Sequence, residues 1–174
     1  MKKELFGWLR DICIAALIAL IILTLFKPII IQQHSMEPNF YSGDYVIAFK
    51  QAYKLSSTPE HGDVIVFHSE LKDSKGRDKN LIKRVIAVGG ETVEIRDGYV
   101  YVNGEQIDEP YVLEQGISGE MEPTVVPDDC LFCCGDNREV SVDSRKNEVG
   151  FVSKDKIVGR VIIRLFPFNS IRTF

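Results

Sequence analysis

Thr92-Val93-Glu94-Ile95-Arg96-Asp97-Gly98-Tyr99-Val100-Tyr101-Val102-Asn103 decides the fold class. On both sides of Asp97-Gly98, branched apolar residues alternate with polar or aromatic ones, the period-two pattern of strands with one buried face. Asp-Gly supplies the positive φ of a tight turn, so the stretch predicts a hairpin of residues 92–95 with 99–103. Working outward, strands are predicted at 44–50, 63–67, 81–88, 130–134, 151–152 and 157–165. A charged loop is expected at 72–79, a break at Gly89-Gly90, and irregular chain over 111–127. Short strands at this density predict a mainly β body, either a sandwich or a coiled, partly open barrel.

Upstream of this body, residues 12–26 are apolar apart from Thr24; Lys27 interrupts, and Pro28-Ile29-Ile30-Ile31 resumes the run. Crossing a bilayer takes about 20 such residues. Residues 11–31 are therefore expected to form a single transmembrane helix, with Lys27 snorkelling to the interface and Trp8 as an interfacial anchor. A buried core helix would show a polar face, and 12–26 has none. A cleaved signal peptide would carry small residues after its apolar run, whereas 28–33 is bulky. Lys2, Lys3 and Arg10 outnumber Glu4 and Asp11 before the span. That bias puts residues 1–10 in the cytoplasm and residues 32–174 outside it. Leu165-Phe166-Pro167-Phe168 and Phe174 are expected to close the core rather than touch lipid.

A chain of 174 residues suffices for one domain plus this anchor. Its net charge of -4 leaves no nucleic-acid footprint, and its 45% hydrophobic content excludes disorder. Cys130, Cys133 and Cys134 lie close together, but a zinc site needs about four ligands and no second Cys/His cluster answers them. They are expected to be small apolar side chains of a strand entering Gly135, with no metal and no cofactor.

Polar chemistry concentrates in three distant stretches. These are Ser35-Met36-Glu37-Pro38, Ile82-Lys83-Arg84-Val85, and Gly135-Asp136-Asn137-Arg138-Glu139-Val140-Ser141-Val142-Asp143-Ser144-Arg145. A serine hydroxyl is a poor nucleophile until a neighbouring base accepts its proton. Histidine is the usual base, but His34 adjoins Ser35, and neighbours in an extended chain point to opposite faces. His61 and His68 bracket a strand with no nucleophile-like serine in a recognisable turn. Ser35 stands before a stiff, non-helical segment, because Pro38 fixes its own φ and pushes Glu37 toward extended conformations. Alone the tetrapeptide is cheap: Glu120-Met121-Glu122-Pro123 repeats it with Glu in the serine slot.

Lys83 sits in an apolar strand, with Leu81 and Val85 on its own face. Arg84 cannot serve as a base, because guanidinium stays protonated. A solvated lysine, with a pKa of about 10.4, is neutral in roughly one molecule in 2,500 at pH 7. Burial can lower that pKa by about three pH units, at roughly 4 kcal/mol of folding energy. The alternative, a lysine snorkelling from a sheet edge, stands equal on these residues alone. In the third stretch Ser141 can hold the lysine amine by a hydrogen bond. Asp143 can pair with Arg145, and Asp136 with Arg138, to lock the loop. Its alternative is a salt-bridged polar turn.

These stretches resemble the boxes of the type I signal peptidases, membrane-bound Ser/Lys enzymes that remove signal peptides from exported proteins. The Ser-Met-x-Pro box appears as Ser35-Met36-Glu37-Pro38, and the Gly-Asp box as Gly62-Asp63-Val64-Ile65-Val66-Phe67. The Lys-Arg box follows as Ile82-Lys83-Arg84-Val85-Ile86, and the last box as residues 135–145. The resemblance implies Ser35 as nucleophile, Lys83 as general base, Ser141 as orienter of Lys83, and Asp143 with Arg145 as structural support. It implies a β-rich catalytic domain, consistent with a coiled, partly open β-barrel-like body. It also implies signal-peptide-bearing preproteins as partners, cut after small residues at -1 and -3 and bound as an added strand, in proximity to the protein-export machinery. The Ser35 backbone N–H and Gln33 are the oxyanion candidates, and Met36 and Ile82 the substrate-contact candidates. Three departures stand out: Asn39 where Thr is usual, Ala87-Val88-Gly89-Gly90-Glu91 for Gly-Leu-Pro-Gly-Asp, and Gln33 where many members have Ser or Gly. A self-cleaving Ser/Lys repressor relative is disfavoured by the anchor and by the lack of a DNA-binding helical domain. A narrow-range processing peptidase and a silent, membrane-tethered binding scaffold are the remaining alternatives.

Overall fold

The structure is a computed structural model that describes residues 2–54, 57–73, 75–114 and 116–174. Helix α1 (Lys2–Leu25) opens the chain, and strand β1 (Phe26–Ile30) follows with no linker. The apolar run expected to carry a helix to residue 31 therefore changes form at Phe26. Pro28 is the reason: it has no N–H to give a helix and biases Lys27 toward extended backbone. It is tolerated because β1 is an edge strand. Within α1, Phe6–Leu25 has a mean hydropathy of 2.2 and none of it packs inside the protein. That stretch is long and apolar enough to cross a membrane.

Among the described residues, eleven further strands build the body: β2 (Tyr45–Phe49), β3 (Val64–Lys72), β4 (Asp78–Val88), β5 (Thr92–Arg96), β6 (Tyr99–Val102), β7 (Glu105–Gln106), β8 (Met121–Val125), β9 (Cys130–Cys134), β10 (Val152–Ser153), β11 (Ile157–Phe166) and the short β12 (Arg172–Thr173). Every pairing among the described residues is antiparallel. The large sheet runs β1-β2-β11-β3-β4-β9-β10 with β12 beside β11, and the small one runs β7-β6-β5-β8. The fold is thus mainly β, with open sheets and one N-terminal apolar helix. The predicted hairpin is β5–β6, and Asp97 (φ 52°) and Gly98 (φ 80°) supply the two left-handed residues of its turn.

Two predicted loops are shorter than expected. The β3–β4 hairpin takes in Lys72 and Asp78, because the Asp73 carboxylate accepts from the Lys75 and Arg77 N–H groups and closes a compact turn. Residues 121–125, expected to be irregular, form β8. Its Pro123 sits where the register against β5 shifts, on an edge strand, and so breaks no needed hydrogen bond.

Both faces of the central strands are covered, which is why β3 reads as a continuous apolar run. Val64 and Val66 pack with Met36, Phe40, Val46 and Val161 on one side. Ile65 and Phe67 pack with Leu81, Val85, Leu131 and Cys133 on the other. A third cluster joins the sheets through Ile86, Val93, Ile95, Val100, Phe132 and Cys134. Of the terminal aromatics, only Phe174 closes core, stacked on Phe40 at 4.3 Å between ring centroids. Leu165, Phe166 and Phe168 are exposed, contrary to expectation; Phe166 meets Phe168 and Tyr45 edge-on at the end of the sheet.

Candidate active site

Ser35 lies at the head of a turn that follows β1. Met36, fully buried, anchors that turn, and its carbonyl accepts from the Asn39 and Phe40 N–H groups at 3.0 and 2.9 Å. Behind the turn stands β4, paired on both edges by β3 and β9. A residue there can be desolvated on all sides, and Lys83 is: 1% of it is exposed. Its Nζ lies 2.7 Å from Ser35 Oγ and donates to the Ile82 carbonyl at 3.0 Å. No carboxylate bonds it among the described residues. Burial pushes the Lys83 pKa down to about 8, against the pull of Asp143 and weaker contributions from Cys134 and Asp136. About one Lys83 in ten is then neutral at pH 7. Of the two readings left open by the sequence, the snorkelling lysine is excluded by this burial.

His34 and His61 bond carboxylates, not Ser35. His34 bonds Glu37 at 2.7 Å and His61 bonds Glu91 at 2.7 Å, both at the surface. His68 is an exposed residue of β3.

Residues 135–145 wrap the pair. Asn137 N–H donates to the Ser35 carbonyl at 3.1 Å. Gly135 N–H donates to Asp143 Oδ2 at 2.9 Å, and a side chain at 135 would overlap Ser141 Oγ and the Ser35 carbonyl, so the approach requires glycine. Asp143 accepts Arg145 Nε and Nη2, each at 2.8 Å, as expected. Burial raises the Asp143 pKa, but the Arg145 bonds and charge more than offset it and hold the carboxyl below its ordinary value. Ser141 is buried in this loop, beside Asp143. Its Oγ makes no bond of good geometry, to Lys83 or to any other group, among the described residues.

The expected Asp136–Arg138 pair does not form. Asp136 instead takes both prongs of Arg84, at 2.8 and 2.7 Å, with Arg84 Nη1 donating to the Gly62 carbonyl at 2.8 Å. Burial raises the Asp136 pKa, and Arg84 and Asn39 pull it back. Arg138 turns to Glu109, at 3.1 and 2.6 Å, and donates to the Gly135 carbonyl at 2.9 Å. Sequence spacing favoured the near partner; the sheet brings the distant one closer. The same network holds two residues that the sequence reading missed. Asn39 Nδ2 donates to Asp136 Oδ2 at 2.9 Å and to the Tyr111 carbonyl at 2.6 Å. Tyr111 in turn lies under Arg84, 4.2 Å from guanidinium carbon to ring centroid. The departure at Asn39 was the available signal.

A groove of about 290 Å³ opens beside Ser35, lined by Gln33, His34, Leu81, Val140 and Val142 among others. Gln33 thus reaches the site. Met36 does not: it is fully buried in the core and cannot contact substrate, because it serves as the anchor of the Ser35 turn. Ile82 is partly buried against that core and meets the site through its carbonyl. Cys133 and Cys134 are buried in β9, with thiol pKa values pushed up by burial. Among the described residues, no His, Cys, Asp and Glu side chains group so as to hold a metal.

Residues 5–166 match the family model described as "Signal peptidase, peptidase S26". Signal peptidase I of Bacillus licheniformis is 32% identical over 98% of this chain and 94% of its own length. Signal peptidase IB of Staphylococcus aureus is 35% identical over 99% of this chain and 95% of its own. A crystal structure of a signal peptidase I from Enterococcus faecalis aligns with 60% of this chain and 97% of that one, at 29% identity and a TM-score of 0.48.

Proposed function

The chain belongs to the signal peptidase family of serine endopeptidases, and we propose that it removes signal peptides with a Ser35/Lys83 dyad carried by a membrane-anchored domain. The observation that carries this reading is the 2.7 Å contact between Lys83 Nζ and Ser35 Oγ in a desolvated site. Neutral Lys83 accepts the Ser35 proton as Oγ attacks the scissile carbonyl. The Ser35 N–H, helped by the Gln33 amide, stabilises the oxyanion. Protonated Lys83 then gives its proton to the leaving amine. Water, activated by Lys83 again, hydrolyses the acyl-enzyme. Ser141, buried beside Asp143, orients the amine as its protonation changes. Asp143 with Arg145, and Asp136 with Arg84, keep the loop in register.

The substrate lies in the groove beside Ser35 as an added strand, and Leu81, Val140 and Val142 leave room for small residues at -1 and -3. Helix α1 crosses the membrane through Phe6–Leu25, with Trp8 exposed near its start. Lys2 and Lys3, which precede that span, outnumber Glu4 and favour a cytoplasmic N-terminus and an extracytoplasmic body next to lipid and the export machinery.

Cleavage of a model preprotein in detergent tests this reading. Wild type cuts after Ala-x-Ala, and Ser35→Ala and Lys83→Met each lose activity by about 10⁴-fold or more while remaining folded. Activity surviving Lys83→Met would remove the proposed base.

A further inference from the structure

The joint between α1 and the sheet is built without slack. A helix leaves its last carbonyls without helical partners, and a cation is favoured at that end. No basic residue stands in the last turn of α1. Lys50, the residue after β2, fills the place from outside. Its N–H donates to the Leu25 carbonyl at 2.8 Å and its Nζ to the Leu23 carbonyl at 2.8 Å. Beside it Phe26 packs on Phe49, with ring centroids 5.4 Å apart, and the two backbones are register partners. Beyond β1, Ile31 N–H donates to the Asp44 carbonyl at 2.9 Å and the Ile31 carbonyl accepts from Gly43 at 2.8 Å. The path from the helix end to Ser35 is therefore tied to β2 and its loop for most of its length.

We propose that Lys50 is a positioning residue: it latches the catalytic sheet to the end of the membrane helix and so fixes how far from a preprotein's apolar segment the scissile bond must lie. This rests on the proposed function. As a loose chain, residues 26–35 would let Ser35 range up to about 33 Å from Leu25. Paired into β1 and latched at two carbonyls, they hold it in one place relative to α1. A preprotein whose apolar segment lies in the same bilayer offers successive bonds about 3.3 Å apart along an extended chain. A fixed Ser35 selects among them; a hinged one does not.

The test uses the full chain in lipid vesicles. Its substrates are preproteins lengthened one residue at a time between apolar segment and cleavage sequence, plus a short water-soluble peptide with the same cleavage sequence. Wild type cuts one spacing best. Lys50→Gln lowers the ratio of best to neighbouring spacings by about two- to five-fold, and Lys50→Arg preserves it. A short Gly/Ser insert between Leu25 and Phe26 abolishes it. All three variants cut the soluble peptide at the wild-type rate. An unchanged ratio in Lys50→Gln would overturn the proposal, whatever the insert does. So would loss of soluble-peptide cleavage in Lys50→Gln, which would place its effect on the site itself. A wild type that cuts nothing would instead strike the proposed function, and this latch with it.

Discussion

Lys83 and Arg84 are consecutive residues of one buried strand, 1% and 8% exposed, and their surroundings make opposite use of a cation. Arg84 meets a carboxylate in bidentate geometry, a backbone carbonyl and an aromatic face. Lys83 meets a hydroxyl and one carbonyl. Arginine keeps its charge anywhere in the ordinary pH range, so it must be paired. Lysine can shed a proton, and without a bonded carboxylate burial pushes its pKa to about 8. Two neighbours thus become a structural brace and a base, and what separates them is the presence of Asp136 on one face of the strand.

Breaking the brace has the largest expected effect on stability. Asp136→Asn leaves Arg84 buried without its counter-ion, which costs about 3–5 kcal/mol. Urea unfolding should show that loss in its midpoint, and a change under about 1 kcal/mol would mean that water or another group replaces the carboxylate.

The base should respond with the opposite sign. Lys83→Met removes a desolvated cation and should stabilise the protein at pH 7 by about 1–3 kcal/mol, less whatever the lost Ser35 contact contributes. The folded pKa, about 8, lies below the unfolded value of 10.5. The penalty is therefore fully present below pH 8 and is relieved as pH rises toward 10.5. The gain from Lys83→Met should shrink over that window; a gain independent of pH would contradict a desolvated lysine.

Asn39→Ala should have the smallest effect. It strips one donor from both Asp136 and the Tyr111 carbonyl, for a loss of about 1–2 kcal/mol in the same unfolding experiment. Asn39→Asp, which brings a second carboxylate to Asp136, should be worse than Asn39→Ala. The reverse order would mean that Asn39 acts by shape rather than by donation.

How much of this was legible depended on sequence separation. The β5–β6 hairpin was readable because Asp97-Gly98 and two alternating strands lie within a dozen residues. Ser35 and Lys83 were readable as chemistry, yet the burial that makes Lys83 a base comes from β3 and β9 flanking β4, which no local pattern encodes. The Arg84–Asp136 pair is hidden for the same reason: Arg138, two residues from Asp136, is the nearer partner in sequence. In the sequence β1 reads as membrane helix, because an edge strand of apolar residues and the end of a span share composition. Only Pro28 distinguished them. β8 was hidden by Pro123, which an edge strand accepts at a register shift. Met36, a substrate-contact candidate in the sequence, is turned into the core instead.

The pH dependence of kcat/KM on a soluble peptide bearing the cleavage sequence tests the dyad most directly, because it reports the ionisation of the free enzyme's base. A desolvated Lys83 predicts a rise with a midpoint near 8. A midpoint near about 6.5 would point to a histidine, and one above about 10 to a solvated lysine. Either would contradict Lys83 as the base.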